Sequence, residues 1–304
     1  MTEPGSASGD LAALLDRRAA LRRARRSDPT VEAELVAATA AVQARAFDRV
    51  PPVVRALSPT GERALIARLL DDEAVHPVAP ADRPAAVADR SASDRRVLVL
   101  EHPEVPGRPF HVVWVALARG VPGTMDEVIG EDRPRLAPTE ADTAVFWSIW
   151  GVEPGIEGMG AGVQLIVGAL DLLRAELRGL ATFVTLSPVP GFRAWQEARP
   201  PAATDERSRL RDCARYLTTI GTSSAPAAGA RAGRPLDPVA RFHLGNGARL
   251  WRLNPRADPS SRGEARSFGI MANYRYDPED RDANRASLRD GQVVTSAAVD
   301  ELLA

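Results

Sequence analysis

The chain has 304 residues, 44% of them apolar, and its 39 basic and 40 acidic side chains give a net charge of −1. This length can bury one substantial core and a second, smaller one, so two domains are expected. A balanced charge provides no basic field to attract nucleic acid, and no nucleic-acid partner is expected. The 39 basic residues are all arginines, so Schiff-base, pyridoxal-phosphate and Walker-A phosphate-loop chemistry is excluded.

The chain opens without the features of a secretory signal, and no apolar stretch is long enough to cross a bilayer. These features predict a cytoplasmic protein without a membrane partner. Cys213 is the only cysteine and is expected to be a buried, small hydrophobic residue. His102 and His111 have no partner at metal-ligand spacing, so no metal site is predicted and structural or solvent-facing roles are expected for both.

The N-terminal third has helical periodicity. Apolar residues recur on one face from Leu11 to Leu21, and the arginine-rich block 17–26 is predicted to form the solvated face of the same helix. Further helices are predicted over 31–46 and 58–70, after turns that contain proline. The segment 79–93 contains two prolines, Pro80 and Pro84, and is interpreted as a linker or crossing loop. Residues 1–78 are therefore predicted to form a small helical domain.

The rest of the chain, 79–304, alternates short β-branched runs with helical ones. Helices are predicted over 163–177 and 210–220, with a short one after Asp237, which has the sequence of an N-cap followed by proline. Loops are expected over 198–208 and 221–235. Strands are predicted over 96–100, 110–117, 143–150, 183–186, 249–253 and 268–276. The fold class is α+β, with a mixed sheet flanked by helices in the second domain.

Three sequence segments, far apart in the chain, each place a side chain that can donate or accept a proton near the end of a predicted strand or helix. Ser187 follows a strand and precedes Pro188, His243 ends a short helix, and Tyr276 closes the strand that also contains Asn273. Two prolines after Ser187 prevent the strand from continuing in a sheet. These segments are predicted to converge on one enzyme site.

A glycine-rich run, 155–162, lies between a predicted strand and a predicted helix. Its glycines Gly158, Gly160 and Gly162 would expose backbone N–H groups at the positive end of the helix dipole, which suits a pyrophosphate. The spacing differs from the Gly-x-Gly-x-x-Gly of a dinucleotide-binding turn. Glycines also form tight turns without any ligand, and that interpretation stays open.

The order of strand, glycine loop, helix and interrupted strand resembles the GNAT fold of N-acetyltransferases, whose loop holds the pyrophosphate of coenzyme A. Five segments of the sequence resemble, in the same order, segments of the malonyl-CoA decarboxylase family. These segments are 73–78, 186–192, 237–248, 250–254 and 269–276.

The resemblance implies decarboxylation of a malonyl thioester to acetyl-CoA without a metal or organic cofactor, coenzyme A being part of the substrate. It also implies that Ser187 and His243 are the catalytic serine and histidine. Tyr276 matches the family's final tyrosine and is expected to orient the carboxylate. His243 is expected to reprotonate the α-carbon, because histidine titrates near neutral pH. Asn273 and Pro188, with the three loop glycines, are expected to bind substrate.

Two features depart from the family. Gly160 stands where relatives usually have an acidic residue, so either Glu157 substitutes for it or that interaction is missing. The helical domain is short, which leaves the predicted homo-oligomer open. Three alternatives therefore remain: an acyltransferase of the same fold, a non-catalytic acyl-CoA-binding protein, and a Ser–His hydrolase, although the Gly-x-Ser-x-Gly elbow of many hydrolases is absent.

Overall fold

A computed structural model describes residues 8–73, 75–199, 205–221 and 234–304 of the chain. Its helices are α1 (Ser8–Ala24), α2 (Glu32–Gln43), α3 (Arg63–Asp71), α4 (Arg83–Arg90), α5 (Met125–Ile129), α6 (Ala161–Glu176), α7 (Phe192–Glu197), α8 (Glu206–Thr218), α9 (Pro238–Gly245), α10 (Ser261–Ser267), α11 (Arg281–Arg289) and α12 (Ala297–Leu303). Its strands are β1 (Val53–Ala56), β2 (Arg95–Glu101), β3 (His111–Ala118), β4 (Thr143–Gly151), β5 (Thr182–Thr185), β6 (Ser187–Pro188), β7 (Ile220–Gly221), β8 (Arg234–Pro235), β9 (Arg249–Asn254) and β10 (Met271–Arg275).

Contacts divide the chain into two compact units, each built from two segments. Unit 1 comprises Met1–Val115 and Ser148–Arg178, and unit 2 comprises Ala116–Trp147 and Gly179–Ala304. The predicted domains 1–78 and 79–304 stay a prediction. Within the described residues, no helix is both long and apolar enough to span a bilayer.

Unit 1 begins with two packed helices, as the periodicity predicts. Leu11 and Leu15 of α1 are fully buried, and α1 packs against α2. A strand that the sequence did not suggest follows Pro52: β1 pairs antiparallel with β2, with Val53 opposite Glu101. Helix α6 covers this pair, and Gly168 lies so close to Val54 that a Cβ there would be 2.5 Å from a valine methyl carbon.

Two sequence-based expectations in unit 1 were wrong. The segment interpreted as a linker contains α4, whose Pro84 occupies the first turn, where proline is tolerated because no intrahelical N–H bond is lost. The arginine block is not wholly solvated, because Arg18 is only 4% exposed. The prediction for Cys213 in unit 2 is confirmed: the thiol is fully buried, and burial raises its pKa.

Unit 2 holds the strands that carry the candidate site. The first residues of β4 run parallel to β5, with Phe146 opposite Thr185, and β10 lies antiparallel to β5, β6 and β9. An aromatic cluster of Phe192, Trp195, Tyr216 and Phe268 packs the helices beside these strands. The strands predicted over 183–186, 249–253 and 268–276 correspond to β5, β9 and β10. Of the predicted loop 198–208, residues 200–204 lie outside the described residues, and α8 already begins at Glu206. Most of the predicted loop 221–235 also lies outside them, since residues 222–233 are not described.

Candidate active site

Ser187 is placed by an interruption between β5 and β10. Val184 pairs with Arg275, and three residues further along each strand Ser187 pairs with Ala272, so the register is kept while the pairing between them is lost. Pro188 cannot donate to the ladder and the chain turns away shortly after it. This interruption leaves the serine hydroxyl at a strand end rather than within a continuous sheet.

Side chains replace the missing ladder hydrogen bonds. The Thr185 hydroxyl accepts from the Tyr274 backbone N–H at 3.1 Å, and the Asn273 side-chain amide donates to the Thr185 carbonyl at 2.6 Å. On the other side of β10 the register with β9 shifts between Asn273 and Tyr274, and irregularities of this kind are frequent beside active sites. The same two residues of β10 are therefore irregular on both of their edges.

His243 lies in α9, whose start has the predicted cap. The buried Asp237 carboxylate accepts from the backbone N–H groups of Val239 and Ala240 at 2.8 and 2.9 Å, and Pro238 follows it. Capping of this kind satisfies N–H groups that the helix leaves unpaired. The helix is therefore fixed at one end, and the histidine lies in its last turn.

A continuous chain of hydrogen bonds, which we call the proton chain, joins four buried side chains. Ser187 Oγ donates to Thr185 Oγ1 at 2.9 Å, Ser187 Oγ lies 3.1 Å from His243 Nε2, and His243 Nδ1 lies 2.8 Å from the Tyr276 hydroxyl. None of the four residues is more than 5% exposed. The structure thus brings together the three residues predicted as catalytic and adds Thr185.

The number of hydrogens restricts how this chain can be arranged. When Ser187 donates to Thr185, its oxygen must accept from His243 Nε2–H, because a hydroxyl has one hydrogen. A neutral imidazole also has one N–H, so Nδ1 then accepts from the Tyr276 hydroxyl. In this arrangement the histidine does not withdraw the serine proton, as a hydrolase would require.

Burial determines the charge of the histidine. It lowers the pKa of His243 to about 3 and raises the pKa of Tyr276 far above its ordinary value, while a hydrogen bond with Asn246 opposes the tyrosine shift. The Tyr274 ring stacks on the imidazole with centroids 4.7 Å apart and keeps this side of it dry. The expectation that His243 titrates near neutral pH was therefore wrong for the free protein: the proton chain is neutral.

The predicted binding residues lie in both units. Asn273 is fully buried, and its Oδ1 accepts from Arg252 and Asn254 at 3.0 and 2.8 Å, so its amide fixes β9 and β10. Pro188 is half-buried in β6. Gly158 and Gly160 belong to the loop of unit 1 and have φ of +81° and +77°, which explains why glycine is used there.

Gly160 is the N-cap of α6 and Gly162 lies in its first turn, so the loop opens onto a helix N-terminus without a capping side chain. Glu157, considered as a substitute for the missing acid, forms an ion pair with Arg22 at 2.8 Å.

Sequence reasoning missed Thr185 and Tyr274. Thr185 precedes Ser187 by two residues, and residues two apart on an extended segment lie on the same face. That spacing was a usable signal. No comparable signal pointed to Tyr274, because its contact with His243 depends on how α9 packs.

The fold and the site define the class: a mixed α/β protein of GNAT-like fold with a buried Ser–His–Tyr chain. The loading GNATL domain of CurA from Lyngbya majuscula shares this fold, with a TM-score of 0.50 and 15% identity over 76% of this chain and 100% of that one. Residues 53–224 and 202–304 match the family described as the malonyl-CoA decarboxylase C-terminal domain. The chain belongs to that family.

Two relatives support this membership. The mitochondrial malonyl-CoA decarboxylase of Anser anser anser is 30% identical over 273 residues, which are 73% of this chain and 52% of that protein. The crystal structure of malonyl-CoA decarboxylase from Rhodopseudomonas palustris has a TM-score of 0.76 and 30% identity, and covers 96% of this chain and 71% of that one. The chain thus spans about half the length of the curated relatives it matches.

Proposed function

We propose that this protein decarboxylates malonyl-CoA, or a related malonyl thioester, to the acetyl thioester and CO₂. The observation that carries the proposal is the buried contact of 3.1 Å between Ser187 Oγ and His243 Nε2, supported on the far side of the imidazole by Tyr276. Membership of the malonyl-CoA decarboxylase family supports the choice of substrate.

The chemistry requires no group beyond the substrate and side chains. The bond between the α-carbon and the carboxylate breaks, CO₂ leaves, and the electron pair is delocalised onto the thioester oxygen. The substrate is its own electron sink, so we propose that no metal or organic cofactor takes part. The protein must orient the carboxylate out of the thioester plane, stabilise the developing enolate and supply one proton.

The proton chain can supply that proton without starting from an imidazolium. The α-carbon of a thioester enolate is a far stronger base than a neutral imidazole, so a neutral donor suffices. Ser187 O–H turns from Thr185 and donates to the α-carbon, His243 Nε2–H replaces the proton on Ser187, and Tyr276 O–H donates to Nδ1. Solvent returns one proton per turnover, which balances the reaction.

For substrate binding we propose that the glycine loop at Gly158, Gly160 and Gly162 holds the pyrophosphate of coenzyme A. The exposed N–H groups at the start of α6 support this assignment. Pro188 and Asn273 are proposed to shape the acyl end. The cytoplasmic location and the homo-oligomer stay predictions.

Product analysis with malonyl-CoA, methylmalonyl-CoA and acetyl-CoA tests the proposal. We expect acetyl-CoA and CO₂ in equal amounts from malonyl-CoA when no acceptor is present. Free coenzyme A formed only with an amine or thiol acceptor would indicate an acyltransferase, and free coenzyme A without an acceptor a hydrolase. Tight binding without turnover would indicate a non-catalytic acyl-CoA-binding protein. Each of these three results contradicts the decarboxylase.

A further inference from the structure

Unit 1 contains an open cavity of about 310 Å³ beside the glycine loop. Its lining includes the apolar Ala19 and Leu35, four arginines near the C-terminal end of α1, and two residues of the segment that leads into the loop. We call the cavity the arginine cavity, after its polar and charged part, which comprises Arg22, Arg23, Arg25, Arg26 and Glu157 beside Pro154. The block that the sequence suggested to be a solvated face therefore encloses a basic concavity.

The cavity has more positive charge than its own acid can neutralise. Among the described residues, Glu157 is the only carboxylate that lines the cavity, and it pairs with Arg22 at 2.8 Å. Arg25 forms an exposed pair with Glu32 at 3.3 Å. Arg23 and Arg26 form no ion pair with any residue that the structure describes. Two guanidinium groups are thus available to a ligand at the rim of a concavity.

A buried arginine fixes the cavity against the loop. Arg18 donates to the backbone carbonyls of Gly155 and Glu157 at 2.8 and 3.1 Å. The backbones are close, since a Cβ at Gly155 would lie 2.6 Å from the Leu15 carbonyl oxygen. This contact explains the glycine and holds α1 and the loop in one arrangement.

The cavity also adjoins the proposed pyrophosphate site. A Cβ placed on Gly158 would lie 3.6 Å from Arg22 Nη1, so the first arginine of the cavity is beside a loop glycine. Gly160, two residues later, is the N-cap of α6. An anion in the cavity and an anion at the start of α6 would therefore be neighbours.

We propose that the arginine cavity binds the 3′-phosphate of coenzyme A, an inference that rests on the proposed function. In coenzyme A this phosphomonoester is separated from the pyrophosphate by a single ribose, which matches the adjacency of the two sites. A phosphomonoester has a charge of about −2 near neutral pH, and two unpaired guanidinium groups match it. Arginine forks also suit phosphate oxygens better than point charges do.

Calorimetric titration of the full chain with coenzyme A and with 3′-dephospho-coenzyme A tests the assignment. We expect the wild type to bind coenzyme A at least about tenfold more tightly, with a preference that weakens as salt is added. In the double variant Arg23→Gln/Arg26→Gln, the affinity for coenzyme A should fall to that for 3′-dephospho-coenzyme A. The affinity for the dephospho form should change little. Both arginines are exposed, so the fold should be kept.

Arg17→Gln is the matched control, because Arg17 belongs to the same helix but pairs with the exposed Glu34 at 3.4 Å and does not line the cavity. This variant should keep the preference for the 3′-phosphate. Equal affinity of the wild type for the two ligands would overturn the proposal. So would a double variant that retains the preference, or one that loses affinity equally for both ligands, since the arginines would then contact the pyrophosphate instead.

The titration separates this inference from the proposed function. A wild type that prefers coenzyme A but does not convert malonyl-CoA would contradict the decarboxylase and retain the phosphate site. A wild type that converts malonyl-CoA and 3′-dephospho-malonyl-CoA with equal kcat/KM would retain the decarboxylase and contradict the phosphate site.

Discussion

The proton chain of unit 2 and the arginine cavity of unit 1 differ in burial and in charge. Each member of the proton chain is at most 5% exposed, and burial keeps its histidine neutral. Arg23, Arg25 and Arg26 of the cavity are exposed and charged. The chemistry of the buried, neutral proton chain depends on which atom carries each hydrogen. The exposed arginines attract an anion through their net charge, and salt screens that attraction. Changes in the proton chain should therefore lower turnover, and changes in the cavity should lower affinity.

The largest expected effect is the loss of His243. The variant His243→Asn should reduce malonyl-CoA turnover by about 100-fold or more, because proton transfer by a positioned side chain contributes on this scale. Affinity for coenzyme A should change by less than about threefold. The double variant Ser187→Ala/His243→Asn should be no slower than the slower single variant, because the residues act as one unit. Steady-state kinetics and calorimetry measure both quantities.

His111→Asn is the matched control for this comparison. His111 is also kept neutral, since burial lowers its pKa to about 4, but it lies in unit 1, outside the proton chain. Its loss should leave kcat unchanged. Additive losses in the double variant of the first experiment would show that Ser187 and His243 act independently, contrary to the proposed transfer.

Thr185→Val should have a smaller effect on rate and a measurable effect on stability. The change keeps the shape but removes the oxygen that accepts from Ser187 and from the Tyr274 N–H. An unsatisfied buried N–H costs about 1–3 kcal/mol of unfolding free energy, and kcat should fall about tenfold as Ser187 loses its partner. Thr185→Ser should restore both values. Chemical denaturation and turnover are the measurements, and a Val variant with normal kcat would remove Thr185 from the proton chain.

Acidification should destabilise the protein through its buried histidines. The pKa values of His243 and His111 are depressed to about 3 and about 4, below the ordinary value near 6.5. The unfolded chain therefore binds protons first, and stability present above pH 6.5 is lost as the pH falls towards 3. The loss is about 1.4 kcal/mol per pH unit for each histidine. Denaturation curves recorded between pH 7 and 4 give the unfolding free energy at each pH. This free energy should decrease less steeply with falling pH in His243→Asn than in the wild type, and an equal dependence on pH would contradict the depressed pKa of His243.

The smallest expected effect concerns the glycine loop. Gly160 has φ of +77° and open space around its Cα, so Gly160→Ala introduces backbone strain without a clash. It should lower the unfolding free energy by about 1 kcal/mol. Gly245→Ala is the comparison, because that glycine also has open space but has no positive φ, and it should be neutral or stabilising. Thermal or chemical denaturation measures both, and equal effects would show that the loop conformation is not the cause.

Much of this arrangement follows from sequence patterns. Periodicity predicted α1 and α6, and alternation or β-branched runs predicted β2 to β5. The Asp-Pro pair at 237–238 predicted the start of α9. The glycine loop predicted the GNAT-like fold correctly, and the five segments that resemble the malonyl-CoA decarboxylase family predicted the family correctly. These signals are local, and the structure realises them because tertiary packing agrees with local preference.

Other features depended on contacts that no local pattern encodes. Strand β1 has only four residues after a proline pair, and its Val53 is half exposed, so it lacks the alternation of a half-buried strand. The arginine block 17–26 has the composition of a solvated face. It lines a cavity only because Gly155 lets the loop approach α1. The sequence predicted a pKa near neutral for His243 from its residue type alone. Burial in the folded chain lowers that pKa, and no local pattern indicates this burial.

The central claim is that Ser187 delivers the proton that completes decarboxylation. Rapid-quench measurement of acetyl-CoA formed from malonyl-CoA, run in parallel on the wild type and Ser187→Ala, tests it most directly. The exposed Ser93→Ala is the control. We predict acetyl-CoA at the wild-type rate for the control and a loss of about 100-fold or more for Ser187→Ala, with affinity for coenzyme A unchanged. A Ser187→Ala variant that forms acetyl-CoA as fast as the wild type would contradict the account.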